Sequence, residues 1–134
     1  MMNSSYAVFI GLNPSTADEV EDDPTIRRCV DYAKRWGYGA LCMVNLFAYR
    51  ETDPNVMKAQ VRPVGADNDR WLLACAKDAG IVVAAWGTHG THLQRDQAVK
   101  QLLVGKLSCL GQTKGGHPKH PLFIKADVKP CSYA

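Results

Sequence analysis

Tyr6-Ala7-Val8-Phe9-Ile10-Gly11-Leu12-Asn13-Pro14 is the stretch from which the fold is read. An unbroken apolar run bounded by glycine and Asn-Pro has the length and composition of a strand covered on both faces. Proline lacks an N–H and pushes the residue before it toward extended geometry, so the ladder ends near Asn13. The Asn13 side chain is then displayed at a strand tip. Three further apolar runs have the same character, so strands are predicted over residues 7–11, 40–46, 81–86 and 107–111.

Helical patterns fill the gaps. Asp23-Pro24 offers an N-cap with proline at the first helical position, Ile26, Cys29, Val30, Ala33 and Trp36 supply one apolar face, and Gly37 supplies the stop. A second helix is expected over residues 67–79, with Leu72, Cys75, Ala76 and Ala79 inward. A third is expected over residues 91–104, with Leu93, Val99, Leu102 and Leu103 inward. Residues 50–63 form a polar connection with room for a short helix near residues 55–59. Strict strand–helix alternation predicts an α/β fold, a three-layer α/β/α sandwich around a mainly parallel four-stranded sheet. The 134 residues read as one domain, residues 1–134.

The formal charge of +3 is too small to announce a nucleic-acid binder, although it permits one. Its distribution is uneven: Asp18, Glu19, Glu21, Asp22 and Asp23 cluster after the first strand, whereas Lys114, Lys119, Lys125 and Lys129 populate the C-terminal part. The 5 cysteines are odd in number and contain no C-x-x-C pair, which argues against a secreted disulfide framework and for reduced thiols packed in the core. No run approaches the about 20 apolar residues of a membrane span, and no leader pattern is present, so a cytoplasmic protein with no membrane partner is expected.

In open parallel sheets ligands bind outside the carboxyl ends of the strands. That rule selects four loops on one edge: residues 12–16, residues 45–50, residues 87–90, and residues 112–120 with their K-G-G-H-P-K-H run. The candidates are therefore Asn13, Asn45, Phe47, Tyr49, Gly87, His117 and His120, together with a phosphate-gripping set of Lys114, Gly115, Gly116 and Lys119. Ordinary structural roles compete at each. Asn13 and Asn45 can be turn residues, Phe47 and Tyr49 can be core, Thr88 and His89 can simply begin the third helix, and Trp71 and Trp86 read as packing residues. His89, His92, His117 and His120 lack a recognisable metal-ligand spacing, so no metal and no cofactor are expected.

In this order, G-L-N-P, the strand ending Met43-Val44-Asn45-Leu46 with F-A-Y-R-E-T-D-P after it, V-V-A-A-W-G, and G-H-P-K-H-P-L resemble the motifs of the uracil-DNA glycosylase superfamily. The resemblance spans residues 8–124. It implies a uracil-DNA glycosylase-like domain that hydrolyses the N-glycosidic bond of a uracil-type or modified base, with a nucleic acid or nucleotide as partner. Under it Asn13 orients the attacking water, Asn45 pairs with a base edge, Phe47 or Tyr49 stacks on the base, and His117 or His120 donates to the base carbonyl. Gly11, Leu12, Pro14, Ser15 and Gly87 would line the pocket. Ser15 stands where uracil-specific members carry a bulky residue, which implies looser base selectivity, and the cysteine spacing of iron–sulfur members is absent. G-L-N-P-S-T-A-D with H-P-L-F-I also resembles a small bacterial and phage family of unknown function, which implies no activity. Two other functions fit the residues: a non-catalytic nucleic-acid or nucleotide-binding module, and a small-molecule nucleotide hydrolase whose acidic loop recruits Mg²⁺. After His120, Leu122-Phe123-Ile124 can form a further short strand.

Overall fold

A computed structural model of the chain describes residues 3–14, 23–49, 53–60 and 64–133. Ser15, the acids at 18–22, and the ends of the 50–63 connection lie outside them. The described elements run β1 (Asn3–Gly11), α1 (Pro24–Arg35), β2 (Tyr38–Asn45), α2 (Pro54–Lys58), α3 (Asn68–Lys77), β3 (Ile81–Ala84), α4 (Arg95–Leu102), β4 (Leu107–Cys109) and β5 (Cys131–Ser132). The sheet order is β2-β1-β3-β4-β5, parallel except for the antiparallel β5. The α/β class is as expected, but among the described residues the sheet has five strands, not four. The added strand comes from the C-terminal segment, where Cys131 pairs with Cys109 and the Tyr133 N–H donates to Leu107 O at 2.9 Å.

Pleating explains the layers. Alternate residues of β1 point to opposite faces: Ala7 and Phe9 join Cys29, Tyr32 and Ala33 of α1, whereas Val8 and Ile10 join Leu72 and Ala76 of α3 and Val99 of α4. Right-handed crossovers demand this division. The chain steps from β1 to β2 in one direction and from β2 to β3 to β4 in the other, so α1 falls on one face and α3 and α4 on the other. Asp23 caps α1 as read, its Oδ1 accepting from Thr25 N at 2.8 Å and Ile26 N at 3.4 Å. On that face the rings of Phe9, Tyr32 and Trp36 stack, with the Tyr32–Trp36 centroids 5.4 Å apart. The Tyr32 hydroxyl donates to Ile124 O and Lys125 O at 3.1 Å, and Trp36 Nε1 to Val128 O at 3.2 Å. These bonds strap the C-terminal segment across α1.

Three expectations are corrected. The third helix begins at Arg95 rather than residue 91, because Leu93 and Gln94 adopt φ of 55° and 53° and break the 3-10 turn before it, Thr88–Gln94, from the helix. Leu93 is consequently 63% exposed instead of inward. Residues Pro121–Phe123 form a 3-10 turn, not a strand, since His120 caps it and proline opens it. Trp71 is 63% exposed, whereas Trp86 is buried. Among the described residues, no helix is long and apolar enough to cross a membrane.

Candidate functional site

β1 is the strand from which the chain departs toward α1 on one face, while its neighbour β3 feeds α4 on the other. The loops after β1 and β3 therefore diverge, and divergence at the carboxyl edge of a parallel sheet opens a crevice. A cleft of about 780 Å³ lies there, walled by Gly11 to Pro14 after β1, Met43 and Asn45 of β2, Trp86 to His89 after β3, and His120, Leu122 and Phe123. Asp23, Thr25 and Ile26 at the start of α1 and Pro54 at the start of α2 complete the walls. Asn13, Asn45 and His120 thus share one wall system although more than a hundred residues separate the first from the last.

The two amides are mechanically linked. Gly11 pairs with Asn45 in the ladder. A Cβ at Gly11 would lie 2.9 Å from Asn45 Oδ1, so glycine is needed for the Asn45 side chain to lie across it. Past the strand ends the ladder continues, with Leu46 N and Phe47 N donating to Gly11 O and Leu12 O at 2.9 Å. Asn13 Nδ2 donates to Tyr49 O at 3.0 Å, which fixes the plane of its amide. Behind Asn45, the Asn68 side chain donates to Asn45 O at 2.9 Å and Leu46 O at 2.8 Å, and the buried Arg95 donates through Nε to Leu46 O at 2.7 Å. Arg95 Nη2 also lies 2.6 Å from Asp69 Oδ1, an ion pair outside hydrogen-bond alignment.

Both histidines on the cleft have their pKa lowered, which favours the neutral ring. The Leu122 N–H donates to His120 Nδ1 at 3.2 Å, so the ring proton sits on Nε2. Burial lowers the His120 pKa from its ordinary value, with Asp23 opposing. His89 Nδ1 lies 2.9 Å from Lys58 Nζ. An ammonium only donates, so Nδ1 is the acceptor and Nε2 carries the proton here too. Burial first, and the Lys58 charge second, lower the His89 pKa. The cleft therefore presents amides and neutral N–H donors, with Asp23 as its carboxylate among the described residues. Among those residues no group of three or more His, Cys, Asp or Glu is arranged to hold a metal ion.

Of the residues singled out in the sequence, Gly11, Leu12, Asn13, Pro14, Asn45, Gly87 and His120 line the cleft; Ser15 lies outside the described residues. Phe47 is fully buried and packs on His92 with ring centroids 5.6 Å apart, so its face is covered. Tyr49 packs partly buried against the core and meets the site through its carbonyl. His117 is not on the cleft wall. It belongs to a self-closed turn: Thr113 N donates to His117 O at 2.9 Å, Gly116 N to Thr113 O at 3.0 Å, and the Tyr133 hydroxyl to Gly116 O at 3.3 Å. Lys114, Gly115, Gly116 and Lys119 share that turn and are likewise off the cleft. Its contribution to the site is positional, since Pro118 O accepts from Gly87 N at 3.0 Å and His120 follows two residues later.

Sequence reasoning missed Lys58, assigned His89 no role in ligand binding beyond its place in an edge loop, and read Asp23 as the α1 cap and as one of the clustered acids. The strand-end rule had already selected the loop that holds His89. Lys58 carried no signal beyond the short helix expected around it. Comparison with known proteins adds one finding: a family model described as protein of unknown function (DUF1643) matches residues 2–122. No curated protein and no solved structure matches. Because the match runs from the first strand through the turn that His120 caps, the chain belongs to the DUF1643 family.

Proposed function

We propose that the cleft binds a nucleobase and hydrolyses its N-glycosidic bond, acting on a uracil-type or modified base in a nucleic acid or nucleotide. The observation that carries this reading is the convergence of Asn13, Asn45 and His120 on one cleft of about 780 Å³, within the range that encloses a small ligand. The bond between C1′ and the base nitrogen breaks with its electron pair on the base. The water oxygen bonds to C1′, and one of its protons ends on the departing base. Charge develops as cation on the sugar and anion on the base, so a neutral N–H donor at a base carbonyl is stabilising. His120 Nε2–H supplies that donor, Asn45 pairs with the base edge, and Asn13 orients the water. An amide is a weak base, so turnover is expected to be slow beside a carboxylate-driven reaction. The likeness of G-L-N-P and the later motifs to glycosylase motifs supports the same roles.

The test is incubation of the purified chain with single- and double-stranded oligonucleotides carrying uracil, hydroxymethyluracil and other modified bases, followed by detection of abasic sites. Product that disappears in Asn13→Ala supports the reading; no product with any base overturns it. A second reading, a binding module without chemistry, is favoured by Asp23, the cleft's carboxylate among the described residues, whose Oδ1 is engaged in the α1 cap. Base-dependent binding without abasic product establishes that alternative.

A further inference from the structure

We propose that Lys58, held behind the cleft-lining His89, forms with it an anion subsite at the cleft edge that takes a phosphate group of the ligand. This rests on the reading of the cleft as a nucleobase site. It relocates the phosphate from the Lys114–Lys119 turn, which the structure places off the cleft. Lys58 ends α2 and is half-buried. Its Nζ stands 2.9 Å from His89 Nδ1, and His89 lies on the wall beside Gly87 and Thr88. Three features point to an anion. Among the described residues Lys58 makes no ion pair with a carboxylate, so its charge is not neutralised there. One of its three protons is directed at His89, which leaves two donors on a compact, strongly charged group. The imidazole it holds keeps its own proton on Nε2, so the pair together offers donors from two side chains without a competing acceptor.

Electrostatics favour the same ligand class. Burial first and the Lys58 charge second lower the His89 pKa, so a second ring proton beside Lys58 carries a penalty. A phosphate removes the penalty and recruits charge-assisted hydrogen bonds. The amides and His120 on the other walls would meanwhile face the base. Both a terminal phosphate of a free nucleotide and a backbone phosphate of a polynucleotide present this chemistry.

The test titrates the full chain, labelled with ¹⁵N at histidine, at pH 7 with inorganic phosphate, a nucleoside, its 5′-monophosphate, ribose 5-phosphate and a short single-stranded oligonucleotide. Phosphate alone is expected to move the His89 ring resonances. Lys58→Ala is expected to weaken the monophosphate or the oligonucleotide about tenfold while leaving the nucleoside unchanged. Loss confined to the monophosphate identifies a terminal phosphate as the occupant; loss confined to the oligonucleotide identifies the backbone; both support the subsite. An unmoved His89 with undiminished affinity in Lys58→Ala overturns it. Nucleoside binding without phosphate preference overturns the subsite alone, whereas equal affinity for ribose 5-phosphate and the monophosphate keeps the subsite and overturns the base reading.

Discussion

Arg95→Ala tests how the end of β2 is held. Arg95 is 5% exposed, and its Nε donates to Leu46 O at 2.7 Å, one residue beyond Asn45. Loss of a buried hydrogen bond from a charged donor costs about 1.5–3 kcal/mol. The Asp69 contact adds less than about 1 kcal/mol, because that carboxylate is 57% exposed and screened. Relief of the arginine's own desolvation offsets part of the loss, and Asn68 still donates to Leu46 O. A net destabilisation of about 2–3 kcal/mol follows. For 134 residues the unfolding entropy is about 0.28 kcal/mol/K, so the melting temperature should fall by about 7–11 °C. Differential scanning calorimetry measures it directly, with Asp69→Asn as the control expected to shift less than about 4 °C. A change under about 2 °C in Arg95→Ala, or an equal fall in the control, refutes the assignment of Arg95 as the brace beneath Asn45.

Gly11→Ala places a methyl 2.9 Å from Asn45 Oδ1, so the amide must turn; base affinity should fall about tenfold, in a binding titration, while the fold survives by circular dichroism. His89 and His120 both have pKa values below their ordinary value near 6.5, through burial and, for His89, the Lys58 charge. Their neutral forms are favoured on folding, so they contribute stability above about pH 6.5 that is lost as pH falls through the folded values. Urea midpoints should therefore drop below that pH, and the drop should shrink in His89→Gln and His120→Gln. Burial pushes the Cys29 thiol up to about 12, while Cys131 is exposed; a disulfide reagent at pH 8 should modify Cys131 first and Cys29 only after unfolding. Asn13→Ala should abolish base release with little change in melting temperature, measured by abasic-site yield and calorimetry.

Why parts of the fold were legible is visible in β1. Its alternate residues feed two separate cores, and such a strand must be apolar throughout, which sequence displays directly. Asn13 and Asn45 were legible for a related reason: the carboxyl edge of a parallel sheet is where ligands sit, and both follow apolar runs. What escaped depends on contacts distant in sequence. β5 is two residues long and exists because Tyr133 bonds back to Leu107. The start of α4 is set by left-handed backbone at Leu93 and Gln94, residues whose types do not advertise it. Phe47 fits either a stacking face or the core on sequence alone, and its N–H bond to Leu12 O belongs to a segment that carries the ring into the core. The K-G-G-H-P-K-H run looked like an anion grip, but its backbone closes on itself through Thr113 and Tyr133. Lys58 and His89 meet only through folding, 31 positions apart.

On the proposed reading, ligand recognition occurs in the crevice between the diverging loops of β1 and β3. Amide chemical-shift mapping of the ¹⁵N-labelled chain against a nucleoside monophosphate tests it most directly. The largest shifts are expected at Gly11, Leu12, Asn45, Gly87 and His89, with the resonances of Lys114, Gly115 and Gly116 nearly still. Shifts centred on residues 113–117, or none at saturating ligand, would contradict it.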